Sequence, residues 1–211
     1  MLTVDVWADV RCPWCWIGLR RLQRVCDMID EPVRVRRRSF LLEPQGPASP
    51  GRPTAQVATT EWGMSREEWN SRRQTIEVEA RSEGLHIRMD GALMFDSSPL
   101  QRLLKLATVA MDYDHAQHAW ESAFAAHFER NEDLGDPDVL HQLASQWGLE
   151  EAEVQRALLG ELFTDEIADD LREARRLSVT SVPTVIAADG RRTRGHAPTV
   201  ELAQFLRAGA L

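Results

Sequence analysis

The chain has 211 residues and a formal net charge of −8. That length can bury one sizeable core, as one domain or as one domain carrying a large insertion. The acidic balance argues against nucleic acid as the main partner, and no apolar stretch is long enough to span a bilayer. Asp5, Asp9 and Arg11 interrupt any leader-like hydrophobic region. The expected setting is therefore cytoplasmic, where thiols stay mostly reduced and disulfides are transient.

Leu2-Thr3-Val4-Asp5-Val6-Trp7 reads as a short strand, rich in β-branched and apolar residues. It leads directly into Cys12-Pro13-Trp14-Cys15, after which Trp16, Ile17, Leu19, Leu22 and Val25 recur at helical spacing. A strand feeding a Cys-x-x-Cys at the start of a helix is the layout of a redox dithiol. The unpaired N–H groups and the dipole of the helix start favour a negative sulfur at Cys12. Pro13 suits the first helical position, where its missing N–H costs nothing. Cys15 lies about one turn further in, close enough to attack a mixed disulfide on Cys12. Cys12 is the expected nucleophile, Cys15 the resolving thiol, and Pro13 and Trp14 support them. The third cysteine, Cys26, falls roughly 16 Å along the same helix from Cys15, beyond disulfide reach, and reads as a small core residue or a regulatory thiol.

Val33 to Leu41 suggests a second strand, parallel to the first across the helix. Its Arg34, Arg36 and Arg38 share one face, as expected of an exposed edge; anion binding is the alternative. Glu43 to Pro53, rich in Pro and Gly, reads as a loop near the site. From Thr54 to Leu177 the pattern is helical. Ser65-Arg66-Glu67-Glu68 forms a capping box for a helix ending near Gly84. Asp96-Ser97-Ser98-Pro99 opens another, with Leu103, Leu104, Leu106 and Ala107 apolar. Asp136-Pro137 opens a third, burying Leu140, Leu143 and Ala144 and ending at Gly148, and Gly160 to Leu177 forms a further one. No internal period suggests a solenoid. The chain then turns to strand over 178–187, with a hairpin at Asp189-Gly190, a partner strand through Arg191 to Gly195, and a closing helix from Pro198 to Leu211. Val200, Leu202, Phe205 and Leu206 are available for its packing.

Trp7-Ala8-Asp9-Val10-Arg11-Cys12-Pro13-Trp14-Cys15-Trp16-Ile17-Gly18 and Val179-Thr180-Ser181-Val182-Pro183-Thr184 resemble the thioredoxin-like DsbA family, closest to its FrnE-type subgroup. That subgroup relates to 2-hydroxychromene-2-carboxylate isomerases and kappa-class glutathione transferases. Phe124 to Phe128, Asp133 to Asp136 and Val139-Leu140 look like the subgroup's insertion. The resemblance implies an α/β, thioredoxin-like fold with a large all-helical insertion: residues 1–53 and 178–211 as the thioredoxin-like domain and 54–177 as the insertion. It implies that Pro183 is cis and faces the cysteines, and that the Val182 backbone pairs with an extended substrate. The implied activity is thiol–disulfide exchange with a disulfide-containing or dithiol substrate and a separate redox partner. No bound cofactor is implied; glutathione is a candidate co-substrate. Monomer and homodimer are both open.

Departures from the subgroup are Asp96 and Leu100-Gln101 near the start of an insertion helix, and Ser178 and Ser181 where glycines are common; these weigh against small-ligand or glutathione recognition more than against the dithiol chemistry. Asp5 is a candidate buried carboxylate serving Cys15, or an exposed one. The related isomerases and transferases carry Ser in place of Cys12, so a glutathione-dependent isomerase or transferase is the first alternative. A zinc site joining Cys12 and Cys15 to His115 and His118, and a non-catalytic interaction module using Trp14 and Trp16, rank lower.

Overall fold

In the computed structural model, which describes residues 2–43, 46 and 49–208, the alternation at the N-terminus becomes strand β1 (Leu2–Ala8), with Val4, Val6 and Ala8 buried on one face. The chain enters helix α1 (Pro13–Asp27) and returns as β2 (Val33–Ser39), parallel to β1 with Val4 opposite Val35. β2 is a sheet edge: Arg34 is exposed, while Arg36 and Arg38 clamp the Asp5 carboxylate at 2.8 and 2.9 Å.

The segment that follows is helical with one interruption. Arg52–Pro53 form a short strand, β3; α2 (Thr54–Thr60) and α3 (Arg66–Ser82) come next, then a single 3-10 turn at Met89–Gly91. Leu93–Met94 then form β4, which pairs antiparallel with β3. That pairing joins the expected loop to the helical span. The capping box of α3 is present: the Glu68 N–H donates to Ser65 Oγ at 3.1 Å, and the Ser65 N–H donates to Glu68 Oε2 at 2.7 Å. The helices α4 (Ser98–Ala110), α5 (Tyr113–Phe128), α6 (Pro137–Gln146), α7 (Glu151–Leu158) and α8 (Thr164–Arg176) complete the insertion. α8 begins at Thr164 and not at Gly160, because Gly160 and Phe163 take φ of 84° and 63°, which a helix cannot contain.

β5 (Thr184–Ala187) pairs antiparallel with β1, and β6 (Arg192–Arg194) with β5, giving the order β2-β1-β5-β6. The closing helix is α9 (Thr199–Arg207), which buries Leu202 and Leu206. Val200, expected in its packing, is exposed because it lies on the opposite side of the helix. Residues 209–211 lie outside the described residues. A mixed four-stranded sheet with helices on both faces and a helical insertion is the α/β, thioredoxin-like fold expected.

The sheet's two faces have different partners. Val4, Val6, Ala8 and Val185 share a core with Ile17, Leu22 and Val25 of α1 and Leu202 and Leu206 of α9. Trp7 and Ile186 face the other way, against Ala174 and Val179. Asp170 fastens the insertion to this second face: buried, it accepts from the Ser39 N–H at 2.8 Å, from Arg38 at 3.1 Å and from Lys105. On the first face, Arg21 of α1 donates to Glu83 just past α3 at 2.7 Å and to the His196 carbonyl at 2.9 Å. Arg21 also pairs with Glu79 at 2.5 Å and Glu83 with Arg24 at 2.8 Å, so the charges form a network of four. These ties fix α3 against the helix that carries the cysteines.

Candidate active site

Cys12 is the N-cap residue of α1, with an extended backbone (φ −95°, ψ 110°), and Pro13 begins the helix. The turn before it is closed by the Cys12 N–H donating to the Asp9 carbonyl at 3.0 Å, and the first helical turn by the Cys15 N–H donating to the Cys12 carbonyl at 2.9 Å. Both cysteines are free thiols. Cys12 keeps 6% of its surface exposed and Cys15 none. Two sulfurs at such positions can alternate between dithiol and disulfide, with the outer one meeting an incoming sulfur first.

Val182–Pro183 is a cis peptide, and the Cys12 thiol points at the Val182 carbonyl at 3.5 Å. Sequence remote by 170 positions is brought to the helix start by glycine. A Cβ on Gly18 would stand 2.5 Å from the Gly195 carbonyl oxygen and 3.0 Å from the Pro183 ring, and one on Gly195 would stand 2.7 Å from Pro183 Cβ. Two residues without side chains thus let α1 close on the proline loop. Trp14 is half-buried, its ring 5.3 Å from His196. Trp16 is buried and stacks on Phe124 and Phe128, its indole N–H donating to Glu121 at 2.7 Å; of the two indoles, only Trp14 faces outward.

The carboxylate beside the cysteines is Asp9, not Asp5. Asp5 lies with Trp7 on the face of β1 turned from α1, and Arg36 and Arg38 hold it there. Asp9 is completely buried where β1 has ended and the chain turns toward Cys12. Its two oxygens accept from the Arg11 N–H at 3.1 Å, the Leu42 N–H at 2.9 Å and Ser97 Oγ at 3.2 Å. Burial raises the Asp9 carboxyl above the usual range, against the opposing pull of the Arg11 charge and these donors. Burial also pushes the Cys15 thiol well up; the Cys12 thiol and the Asp9 charge add to this, and the Asp9 backbone N–H offsets part of it. The Asp9 carboxyl and the Cys15 thiol, both fully buried, thus each resist ionisation. The sequence carried a signal for Asp9, a carboxylate three residues before the first cysteine, but strand alternation cannot say where a strand ends.

On the insertion side, Cys12 and Trp14 open onto a cavity of about 480 Å³. Its walls are Trp62, Trp69 and Ile76 from the α2–α3 region, with Met89, Met94 and Leu42, and with Glu43 at the start of the expected loop. Arg11 forms part of the floor, donating to Glu43 at 2.9 Å and to Met94 Sδ at 3.3 Å; its Nε and Nη1 are shut from solvent without a partner among the described residues. On the other side of the proline loop lies a polar cleft that includes Ser181, Arg194 and His196.

The remaining expectations fall elsewhere. Gln101 is buried and donates to the Ala8 carbonyl at 3.3 Å, so it serves the core. His115 is exposed and caps α5 with Asp112, and among the described residues no cluster of three or more His, Cys, Asp or Glu could hold a metal. Cys26 packs half-buried against the main core, and burial lifts its thiol to about 11. Ser178 takes φ 54° as the left-handed residue that ends α8; its N–H donates to the Arg175 carbonyl and that of Val179 to Ala174, the position where glycine is usual. Among the described residues, no helix is long and apolar enough to cross a membrane.

A cysteine pair at a helix start, set against a cis-proline loop on a four-stranded mixed sheet, defines a thioredoxin-fold protein. The model of the DsbA-like thioredoxin domain matches residues 3–207, and the chain belongs to that family. Its broad class is thus thiol–disulfide oxidoreductase or isomerase. A probable DsbA oxidoreductase from Streptomyces coelicolor superposes with a TM-score of 0.92 at 27% identity, over 100% of this chain and 90% of that one. The fold is shared with the cytosolic disulfide reductase DsbM from Pseudomonas aeruginosa, solved with GSH (TM-score 0.67, 20% identity, 99% of both chains). It is also shared with a 2-hydroxychromene-2-carboxylate isomerase (TM-score 0.68, 14% identity, 99% of this chain and 96% of that one).

Proposed function

We propose that the protein is a thiol–disulfide oxidoreductase working through Cys12 and Cys15. The observation that carries this reading is the Cys12 thiol at the start of α1, 3.5 Å from the Val182 carbonyl, with Cys15 and Asp9 fully buried behind it. In the reducing direction, the Cys12 thiolate attacks one sulfur of a substrate disulfide. The substrate S–S bond breaks, one thiolate leaves, and a mixed disulfide to Cys12 forms. Asp9 takes the proton of Cys15, whose thiolate then attacks Cys12 Sγ; the mixed disulfide breaks and the second substrate thiolate leaves. The substrate gains two electrons, the protein gains the Cys12–Cys15 disulfide, and a low-molecular-weight thiol such as glutathione, or a partner dithiol, restores the reduced form. Val182 and Pro183 orient the substrate sulfur in line with Cys12, and Pro13 and Trp14 keep the helix start in place. The address proposed for this chemistry is the cytoplasm.

Reduction of a model disulfide tests the assignment. Cys12→Ser should bring the rate to that of the uncatalysed reaction, and Cys15→Ser should stall at a mixed disulfide that mass spectrometry detects on Cys12. Full activity in Cys12→Ser would overturn the reading. The fold shared with a 2-hydroxychromene-2-carboxylate isomerase supports a second one, glutathione-dependent isomerisation in the cavity beside Cys12. Isomerase turnover that needs glutathione and persists in Cys12→Ser would establish it.

A further inference from the structure

We infer that the substrate of this site is a small disulfide bearing an apolar, aromatic-sized group, which binds in the cavity between Cys12 and the α2–α3 wall. This rests on the dithiol reading above and names its substrate class. Three features lead there.

The first is access. Cys12 is 6% exposed and is itself a lining residue of the cavity. A disulfide inside a folded protein brings two stretches of backbone with each sulfur, whereas a small disulfide brings only its own substituents. The second is size and lining. About 480 Å³ falls within the range of small-molecule sites, roughly 300–1,000 Å³. Trp62, Trp69, Ile76, Met89 and Met94 present rings, a branched chain and thioethers, surfaces that favour an apolar or aromatic partner. Trp62 is 48% exposed, a large apolar surface left open to solvent beside the cavity. The third is charge. Arg11 and Glu43 pair with each other at 2.9 Å, the unpartnered nitrogens of Arg11 are shut from solvent, and Arg72 is exposed at the rim one turn from Glu68. Glu43 neutralises the Arg11 charge from within, and the apolar walls supply most of the surface that selects.

The reaction is the exchange already written: the substituent occupies the cavity while its sulfur is joined to Cys12, and leaves as a thiol once Cys15 attacks. Selectivity is read in a single turnover, which needs no external reductant. The reduced protein is mixed with phenethyl disulfide or with hydroxyethyl disulfide, two alkyl disulfides whose leaving thiols are of similar acidity, so intrinsic reactivity is alike. Free dithiothreitol calibrates the intrinsic ratio. Burying the phenyl ring should make phenethyl disulfide about 10- to 100-fold faster than that ratio predicts. Trp62→Ala, at a position 48% exposed, should slow phenethyl disulfide and return the ratio to the dithiothreitol value. Trp69→Leu should do the same. A wild-type ratio equal to that of dithiothreitol, a preference that survives both substitutions, or faster reduction of insulin than of phenethyl disulfide each overturns the inference. In all three outcomes hydroxyethyl disulfide still reacts and the dithiol reading stands. Loss of reaction with every disulfide overturns both.

Discussion

Cys12 faces two surfaces of different origin. One is the proline loop, built by the thioredoxin-like sheet and locked by backbone: Gly18, Gly195 and Pro183 meet at distances no Cβ would allow. The other is the Trp62–Trp69–Ile76 wall, built by the insertion and held on by side chains, with Arg21 reaching Glu79 and Glu83. Chemistry on a sulfur needs atoms fixed to within fractions of an ångström, and closely packed backbone supplies that rigidity. A pocket that chooses among substituents needs bulk and shape, which exchangeable side chains supply. The difference teaches that the two surfaces should fail separately when altered.

The broadest expected effect on exchange falls on the proline side. Gly18→Ala forces α1 off Gly195 and Pro183; we expect about 1–3 kcal/mol of destabilisation in a thermal melt and slow exchange toward all disulfides alike. If exchange stays fast, the proline loop does not position substrate. Trp62→Ala should do the reverse, altering selectivity with an unchanged melt.

Behind both surfaces, Asp9→Asn acts on stability and on rate. It leaves an acceptor for only one of the Arg11 and Leu42 N–H groups, which bond to different oxygens of Asp9, so the melting temperature should fall. Release of the second thiol should slow by about 100-fold and recover as pH rises and Cys15 ionises unaided. A uniform slowing of both steps would argue that Asp9 only shapes the turn.

Two pH effects sharpen the comparison on the insertion side. His127, buried against Phe95 and Phe128 beside the Arg11 charge, has its pKa lowered from 6.5 to about 3. The native state therefore binds its proton less tightly than the unfolded chain does. Stability from this group is complete above pH 6.5 and declines as pH falls toward 3, by up to about 4 kcal/mol. Denaturant titrations across that range should show the decline, and His127→Leu should flatten it. Cys26 gives the opposite sign: raised to about 11, it stabilises the reduced protein below the unfolded thiol value and loses this as pH climbs to 11, a slope that Cys26→Ala removes. Smallest is Ser178→Gly, which relieves a left-handed serine and should add about 0.5–1 kcal/mol to stability, with no change in exchange rate.

Much of this was legible in one dimension, and the reasons are local. The strand, the helix start at Pro13, the capping box at Ser65 and Glu68, and the hairpin at Asp189-Gly190 depend on residues within a few positions of one another. Val200, Asp5 and Gly160 show where local reading stops. Each fits its pattern, but the face that meets the core, the strand's final residue and a left-handed turn at Phe163 are settled by contacts from distant segments. Arg52–Pro53 and Leu93–Met94 were illegible as strands because two residues carry no period.

The sequence by itself determined the cysteine pair, its helix, the βαβ unit, and the family to which the chain belongs, since each lies in short runs whose spacing is physically constrained. Only the tertiary structure decided that Asp9 is the carboxylate beside Cys15, that Gly18 exists to admit Pro183, and that Cys12 opens onto a tryptophan-lined cavity. The last two join residues dozens to more than a hundred positions apart, and burial, which sets both the reluctance of Asp9 and Cys15 to ionise and the shape of the cavity, is a property of the packed chain alone.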